Sequence, residues 1–326
     1  MIVSLILAPA GIHAILPFPL EVKSTSTTTI FAESEHRHHF RIATMKPLSG
    51  DLIARIAAGN RTLALFEEHI DISASATASF SIPFKTPAVK PGIIQPLDLT
   101  VSLAGSSSAD PVEIFCQRLW IFHRDIFADK HEWLSGLNII LYDPAGKTGR
   151  MFAELSLPIP KTANFNVISK NKHDIVLTGE NTDLNEKMTS ELLKLAAAGA
   201  KILCLDPRKF QLSFNPAIEG KDDALPPSLH FYERERIVKL DKRLDASLWW
   251  DSGLPDKSIQ MKTTSPETIN INVKKSKSPW VWCEIHFPDC HGRLIVTTLP
   301  LSDRMDRNPT PRYLFFAILK SFEQRE

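Results

Sequence analysis

Three short apolar runs, each closed by an acid or a glycine, constrain this chain more than any other feature. They are Asn138-Ile-Ile-Leu-Tyr-Asp143, Asp174-Ile-Val-Leu-Thr-Gly179 and Lys201-Ile-Leu-Cys-Leu-Asp206. Helix-like stretches lie between them. One runs from Arg150 to Leu155; in the other, Leu184, Met188, Leu192 and Leu195 recur at spacings of four, four and three before Ala198. Apolar runs alternating with helical periodicity predict β-α-β units around a parallel sheet. Thr182 or Asp183 is the expected cap of the longer helix, and Gly199 its stop. The acids and glycines then fall at the carboxyl ends of strands, where open parallel sheets bind ligands.

The residues before this pattern read differently. Thr27–Phe31, Phe40–Thr44, Thr62–Phe66, Ala78–Ile82 and Ile114–Phe122 are short β-branched or aromatic runs. Leu97-Asp-Leu-Thr-Val-Ser-Leu103 alternates strictly, which marks a half-buried strand. Proline and glycine punctuate these runs, as in the turn at Pro87–Gly92. An antiparallel β-sandwich over residues 20–122 follows. Residues 123–136 have no period and are read as a linker, with Trp133 packing at its junction. Residues 137–326 form the α/β part. Its later strands are expected at 228–232, 269–273, 280–287 and 292–298, with a short helix or turn at 244–250. Phe210–Pro227 is an irregular excursion, and Tyr313–Lys320 is a last apolar helix entered through Pro309 and Pro311.

Composition excludes some partners. Lysine and arginine total 38 and acids 37 in 326 residues, for a net charge of +1. Neither nucleic acid nor an anionic membrane is favoured by that balance. The four cysteines are too scattered for a disulfide-stapled fold. Cys283 and Cys290 are left open as either a pair across a hairpin or free thiols. Residues 1–19 begin with an apolar run that lacks a positive n-region and is broken by Pro9 and Gly11. This segment reads as a leader or a truncated segment, with a β-strand as the alternative. A periplasmic or secreted location and a cytoplasmic one both stay open.

Four groups of residues carry candidate chemistry. Cys204 is the candidate nucleophile, although it lacks flanking glycines and has no histidine brought to it by spacing. Gly146, Lys147 and Thr148 resemble half of a phosphate loop. Leu141 stands where the first glycine of such a loop belongs, which leaves a helix N-terminus as a weak anion site. Trp249, Trp250, Trp280 and Trp282 are candidate carbohydrate contacts through their flat faces, against the alternative of core packing. Glu35, His36, His38 and His39 cluster in sequence, as do Cys283, His286, Cys290 and His291. Neither set has the spacing of a closed zinc site, so no metal and no cofactor are expected.

The order of these pieces resembles a known family. The residues are Ile121-Phe-His-Arg-Asp-Ile-Phe127, Leu141-Tyr-Asp-Pro-Ala-Gly-Lys-Thr148, Asp174-Ile-Val-Leu-Thr-Gly-Glu180, Gly199-Ala-Lys-Ile-Leu-Cys-Leu205 and the closing run from His291 to Arg304. Over about residues 20–320 the chain resembles the C-terminal part of bacterial proteins related to glycoside hydrolase family 2. There an immunoglobulin-like sandwich precedes a flavodoxin-like, three-layer α/β domain of the glutamine amidotransferase-like type, which usually lacks its nucleophile. The hydrolases themselves cut with two carboxylates on a (β/α)8 barrel of about 250 residues. The α/β part here is shorter than that and offers no such pair. The resemblance therefore implies a non-catalytic accessory region, associated with carbohydrate or with a glycosidase catalytic domain. The alternatives are a cysteine-dependent amidotransferase or hydrolase using Cys204, and a structural or oligomerisation module.

Overall fold

The alternation in residues 97–103 becomes a strand with one face shut off from water: Leu97, Leu99 and Val101 are fully buried. Strands of this kind build the first of two compact units. The first comprises Met1–Val89 and Ile93–His123; the second comprises Lys90–Gly92 and Arg124–Glu326. The computed structural model describes residues 20–105, 110–214, 227–249, 260–263, 270–273 and 281–323. Both units are rich in β-structure, with strands in several sheets and few helices.

In the first unit, β1 (Leu20–Ser24), β2 (Thr29–Phe31), β3 (Glu35–Thr44) and β4 (Leu48–Ala58) are followed by β5 (Arg61–Ile72), β6 (Thr77–Lys85), β7 (Ile94–Ala104) and β8 (Val112–Phe122). One sheet has the order β1-β3-β6 and the other β2-β8-β7-β4-β5. All pairings are antiparallel except β2 with β8. Phe40, Ile42 and Ile82 from the small sheet share one core with Leu52, Ile56, Leu99, Leu119 and Ile121 from the large one. β4 has no clear sequence signal. Its inward positions include Gly50, Ala54 and Ala57 beside Leu48, Leu52 and Ile56, so small residues dilute the apolar alternation. Gly50 is needed there, because a Cβ would lie 2.6 Å from the Ala104 carbonyl on β7.

The second unit opens with a turn and α1 (His131–Gly136). Residues 124–136, read as linker, belong to its packing: Phe127 and Leu134 are core residues, and Trp133 meets Phe316 edge-on. Next come β9 (Ile139–Tyr142), α2 (Lys147–Glu154), β10 (Lys161–Thr162), α3 (Phe165–Lys170), β11 (Ile175–Thr178), β12 (Asp183–Leu184), α4 (Glu186–Ala197) and β13 (Lys201–Leu205). Then follow β14 (Lys209–Phe214), β15 (Ser228–Tyr232), α5 (Glu235–Leu240), a 3-10 turn at Ala246–Trp249, β16 (Gln260–Thr263), β17 (Asn270–Val273), β18 (Trp282–Phe287), β19 (Gly292–Thr297) and α6 (Pro309–Ser321).

Eight of these strands form a sheet of order β10-β9-β11-β13-β19-β18-β15-β17. The first five run parallel, and β18 is antiparallel to both of its neighbours. Every residue of β9 and β11 is buried, as continuous apolar strands require when both faces are covered. On one face Leu141, Leu177, Leu203 and Ile295 pack with Phe152 of α2 and with Leu314, Phe315, Ile318 and Leu319 of α6. Each of those four α6 side chains contributes roughly 1.5–3 kcal/mol by burial. On the other face Ile140, Val176, Ile202 and Val296 pack with Ile168 of α3 and with Leu192, Leu193 and Ala196 of α4.

Two local expectations change. Leu184 is not the first turn of the long helix but the end of β12, which pairs with β14. The cap moves to Asn185, whose side chain accepts the Met188 N–H at 2.9 Å. Gly199 does stop the helix, at a φ of +101° that favours glycine. Part of the supposed irregular excursion is strand β14, while 215–226 lie outside the described residues. Residues 1–19 lie outside them as well.

Candidate functional site

The carboxyl ends of β9, β11 and β13 place Asp143, Glu180 and Asp206 along one edge of the sheet. All three are nearly inaccessible. Asp143 follows β9 directly, and its Oδ2 accepts the Gly149 N–H at 2.6 Å in the first turn of α2. The chain thus supplies its own anion to this helix N-terminus. Gly179 lets the carboxylate approach: a Cβ there would lie 2.7 Å from Asp143 Oδ1. Gly146 sits just before the helix with a φ of +70°.

Glu180 closes the other side. Its Oε1 accepts the N–H groups of Leu301 and Ser302 at 2.7 and 2.6 Å, and its Oε2 accepts from the Ser302 hydroxyl. Lys147 Nζ lies 3.5 Å from Glu180 Oε2 and donates to Asp303 Oδ1 at 2.6 Å. Burial opposes the charge of that ammonium, but Asp303 and Glu180 outweigh it and hold its pKa above the usual lysine value. Thr148 Oγ1 accepts the Glu180 N–H at 2.9 Å. Lys147 and Thr148 therefore hold carboxylates and a backbone amide of the chain itself, at the place where sequence put an external anion, and the Gly146 N–H donates to the Asp143 carbonyl at 3.1 Å.

Asp206 has a φ of +30° and Asn181 a φ of +58°. Such backbone at strand ends is uncommon for residues with side chains. The two are tied together: the Asn181 N–H donates to the Asp206 carbonyl at 2.9 Å.

Cys204 lies two residues before this bend, inside β13 and wholly buried against the α3–α4 layer. Burial pushes its thiol up to about 12, against a smaller opposing effect of Thr178. Alternation along β18 places Cys283 and Ile285 on the same face as Cys204, and Trp282, Glu284 and His286 on the opposite face. The sheet separates the thiol from the histidine and carboxylate it would need.

The tryptophan reading changes for two of its four members. Trp249 and Trp282 are core residues at 1% and 0% exposure. Trp249 Nε1 donates to the Pro300 carbonyl at 3.5 Å, and Trp282 Nε1 to Glu284 Oε1 at 2.7 Å. Neither presents a face to a sugar. Trp250 and Trp280 lie outside the described residues.

Neither histidine cluster forms a metal-holding set among the described residues. Glu35 and His39 are exposed, while His36 and His38 point inward. His38 pairs with Ser24 Oγ through Nε2 at 2.9 Å. Burial, reinforced by His36, lowers the His38 pKa to about 4. Among the described residues, no group of three or more histidines, cysteines or acids is placed to hold a metal ion. All four cysteines are free thiols. Cys283 sits mid-strand opposite Val296, whereas Cys290 lies in the hairpin turn, so the two are too far apart along the ladder to pair.

Sequence reasoning missed one polar centre. Glu284 has no exposure and binds four side chains. Arg236 donates to both carboxylate oxygens, through Nε at 2.6 Å and Nη2 at 3.2 Å. Arg293 Nη2 donates to Oε2, Trp282 to Oε1, and His286 Nε2 lies 3.1 Å from Oε2. Burial opposes the charge, yet His286 and the two guanidinium groups hold the carboxyl well below the usual range. The visible signal was Trp282, Glu284 and His286 at period two in an otherwise apolar strand. Nothing in sequence pointed to Arg236 or Arg293.

No family model and no curated protein matches this chain. Some solved structures are weakly similar. The C-terminal domain of wzt aligns over 32% of this chain and 70% of its own length, at 9% identity and a TM-score of 0.24. A β-glucosidase from Listeria innocua aligns over 32% of this chain and 16% of its own, at 13% identity and a TM-score of 0.23. A family 123 glycoside hydrolase from Clostridium perfringens aligns over 57% of this chain and 48% of its own, at 9% identity and a TM-score of 0.24. The chain spans less than half the length of either hydrolase. Similarity this low assigns no function, which has to rest on the residues themselves.

Proposed function

We propose that this chain is a non-catalytic, carbohydrate-associated accessory region of a glycoside hydrolase-like protein. The observation that carries the reading is that the groups at the strand ends are engaged with the chain itself. Glu180 is closed off by Leu301, Ser302 and Lys147, Asp143 holds the start of α2, and Cys204 is sealed in the sheet. A nucleophile needs an accessible, activated group. Here the bend at the end of β13 falls on Asp206, and the cysteine stays inside the strand.

The finer fold reading belongs to the same proposal. Residues 20–122 are an immunoglobulin-like sandwich, and 137–326 a flavodoxin-like, three-layer α/β domain of the glutamine amidotransferase-like type. Its support is the parallel order β10-β9-β11-β13-β19 with helices against both faces. The partner is then carbohydrate or a glycosidase catalytic domain.

The test uses the purified full chain in three assays: glycoside turnover, glutamine hydrolysis and calorimetric titration with oligosaccharides. The expected result is no turnover, saturable binding of at least one oligosaccharide, and no labelling of Cys204 by iodoacetamide in the native state. Turnover that disappears in Cys204→Ser would overturn the reading in favour of an enzyme. A failure to bind any oligosaccharide would remove the carbohydrate part of it.

A further inference from the structure

A cleft of about 760 Å³ lies at the opposite edge of the large sheet, beside the amino-terminal ends of β11, β13 and β19. Its size is that of a small-molecule site. Lys201, Arg293, His286 and His291 line it, with Asp174 and Ser228 among the facing groups. The other acid on its wall, Glu323, is paired with Lys320.

The one carboxylate of Glu284 serves two guanidinium groups, Arg236 and Arg293. Arg293 is 7% exposed, and its Nε–H meets no acceptor among the described residues. Lys201, at the start of β13, forms no ion pair among the described residues and faces the same cleft. A cation held partly out of water without a paired anion, as Lys201 is, is costly. An anion in the cleft offsets that cost and gains charge-assisted hydrogen bonds from the wall.

We propose that this cleft binds a small anionic ligand, its carboxylate or phosphate group held by Lys201, His291 and the field of Arg293. The site is remote from the strand-end acids and does not depend on the accessory reading. A chain that fails to bind neutral oligosaccharides can still bind the anion.

The experiment is calorimetric titration of the full chain with inorganic phosphate, glucose 6-phosphate, glucuronate and neutral glucose. Saturable binding of at least one anion is expected, weakening as salt is raised, with no binding of glucose. Binding of the phosphates alone identifies a phosphate group, and binding of glucuronate alone a carboxylate; either upholds the proposal. Lys201→Met removes a charge from a partly exposed strand end and should weaken the anion about tenfold or more. His291→Asn keeps a residue that tolerates the φ of +55° and should weaken it to a smaller degree. No anion binding at millimolar concentration, equal affinity for glucose, or unchanged affinity in both variants would each overturn it.

Discussion

Glu284 shows how much one buried residue can organise. It sits mid-strand with two guanidinium groups, an indole N–H and an imidazole around it. Replacing it with glutamine keeps the shape but leaves Arg236 and Arg293 without a counter-charge. Breaking such a pair costs about 3–5 kcal/mol. Glu284→Gln should therefore lower the unfolding free energy of the second unit, measured in urea, by that amount, while a change on the exposed Asp98–Arg118 pair should cost under about 1 kcal/mol. Trp282, once a sugar-contact candidate, acts here as a donor to the carboxylate. The alternation of Trp282, Glu284 and His286 was legible in sequence. Their partners were not, because Arg236 comes from a helix 48 residues away and only packing brings it in.

Among the elements, α4 and β19 come into close backbone contact. A Cβ on Gly292 would lie 1.7 Å from the Ala196 carbonyl of α4. Gly292→Ala must push the helix off the sheet, and the expected loss is ~4 kcal/mol or more, or no soluble protein at all. Asn185→Ala removes only the N-cap of the same helix and should cost about 1 kcal/mol. Urea unfolding of the two variants separates these cases; a Gly292→Ala protein as stable as the parent would contradict the close approach. The body of α4 was readable from its leucine spacing and from Gly199. Its start was not, since Leu184 continues the apolar period but is drawn into β12 by pairing with β14.

For the molecule as a whole, the two units should part company as pH falls. His38 in the first unit has a folded pKa lowered from 6.5 to about 4 by burial and by His36, with His39 adding to this and the nearby Gln117 side chain opposing it. The folded state then binds fewer protons than the unfolded state below pH 6.5. Stability from the neutral ring is full above that value and is lost as pH falls towards about 4, by on the order of 3 kcal/mol. Glu284 in the second unit has a folded pKa lowered from 4.5, so its contribution persists above that value and is lost only at lower pH. Thermal melts at about pH 7.5 and about pH 5 should show one transition moving down and one nearly fixed. His38→Phe should hold the moving transition in place. Two transitions shifting together in the wild type would contradict this assignment.

Sequence by itself determined the local periodicities. Strict alternation at residues 97–103, unbroken apolar runs in β9, β11 and β13, and the leucine spacing of α4 report which faces are apolar, because the side-chain period of a strand or helix is a local property. Only tertiary structure decided what the polar residues do. Whether Lys147 waits for a phosphate or pairs with Glu180 and Asp303 depends on chain segments far apart in sequence. Whether Cys204 is a nucleophile or a sealed core thiol depends on helices α3 and α4 covering that face of the sheet. Electrostatics and solvent exclusion act through space, across all the layers that meet at a point, and no spacing along the chain encodes them.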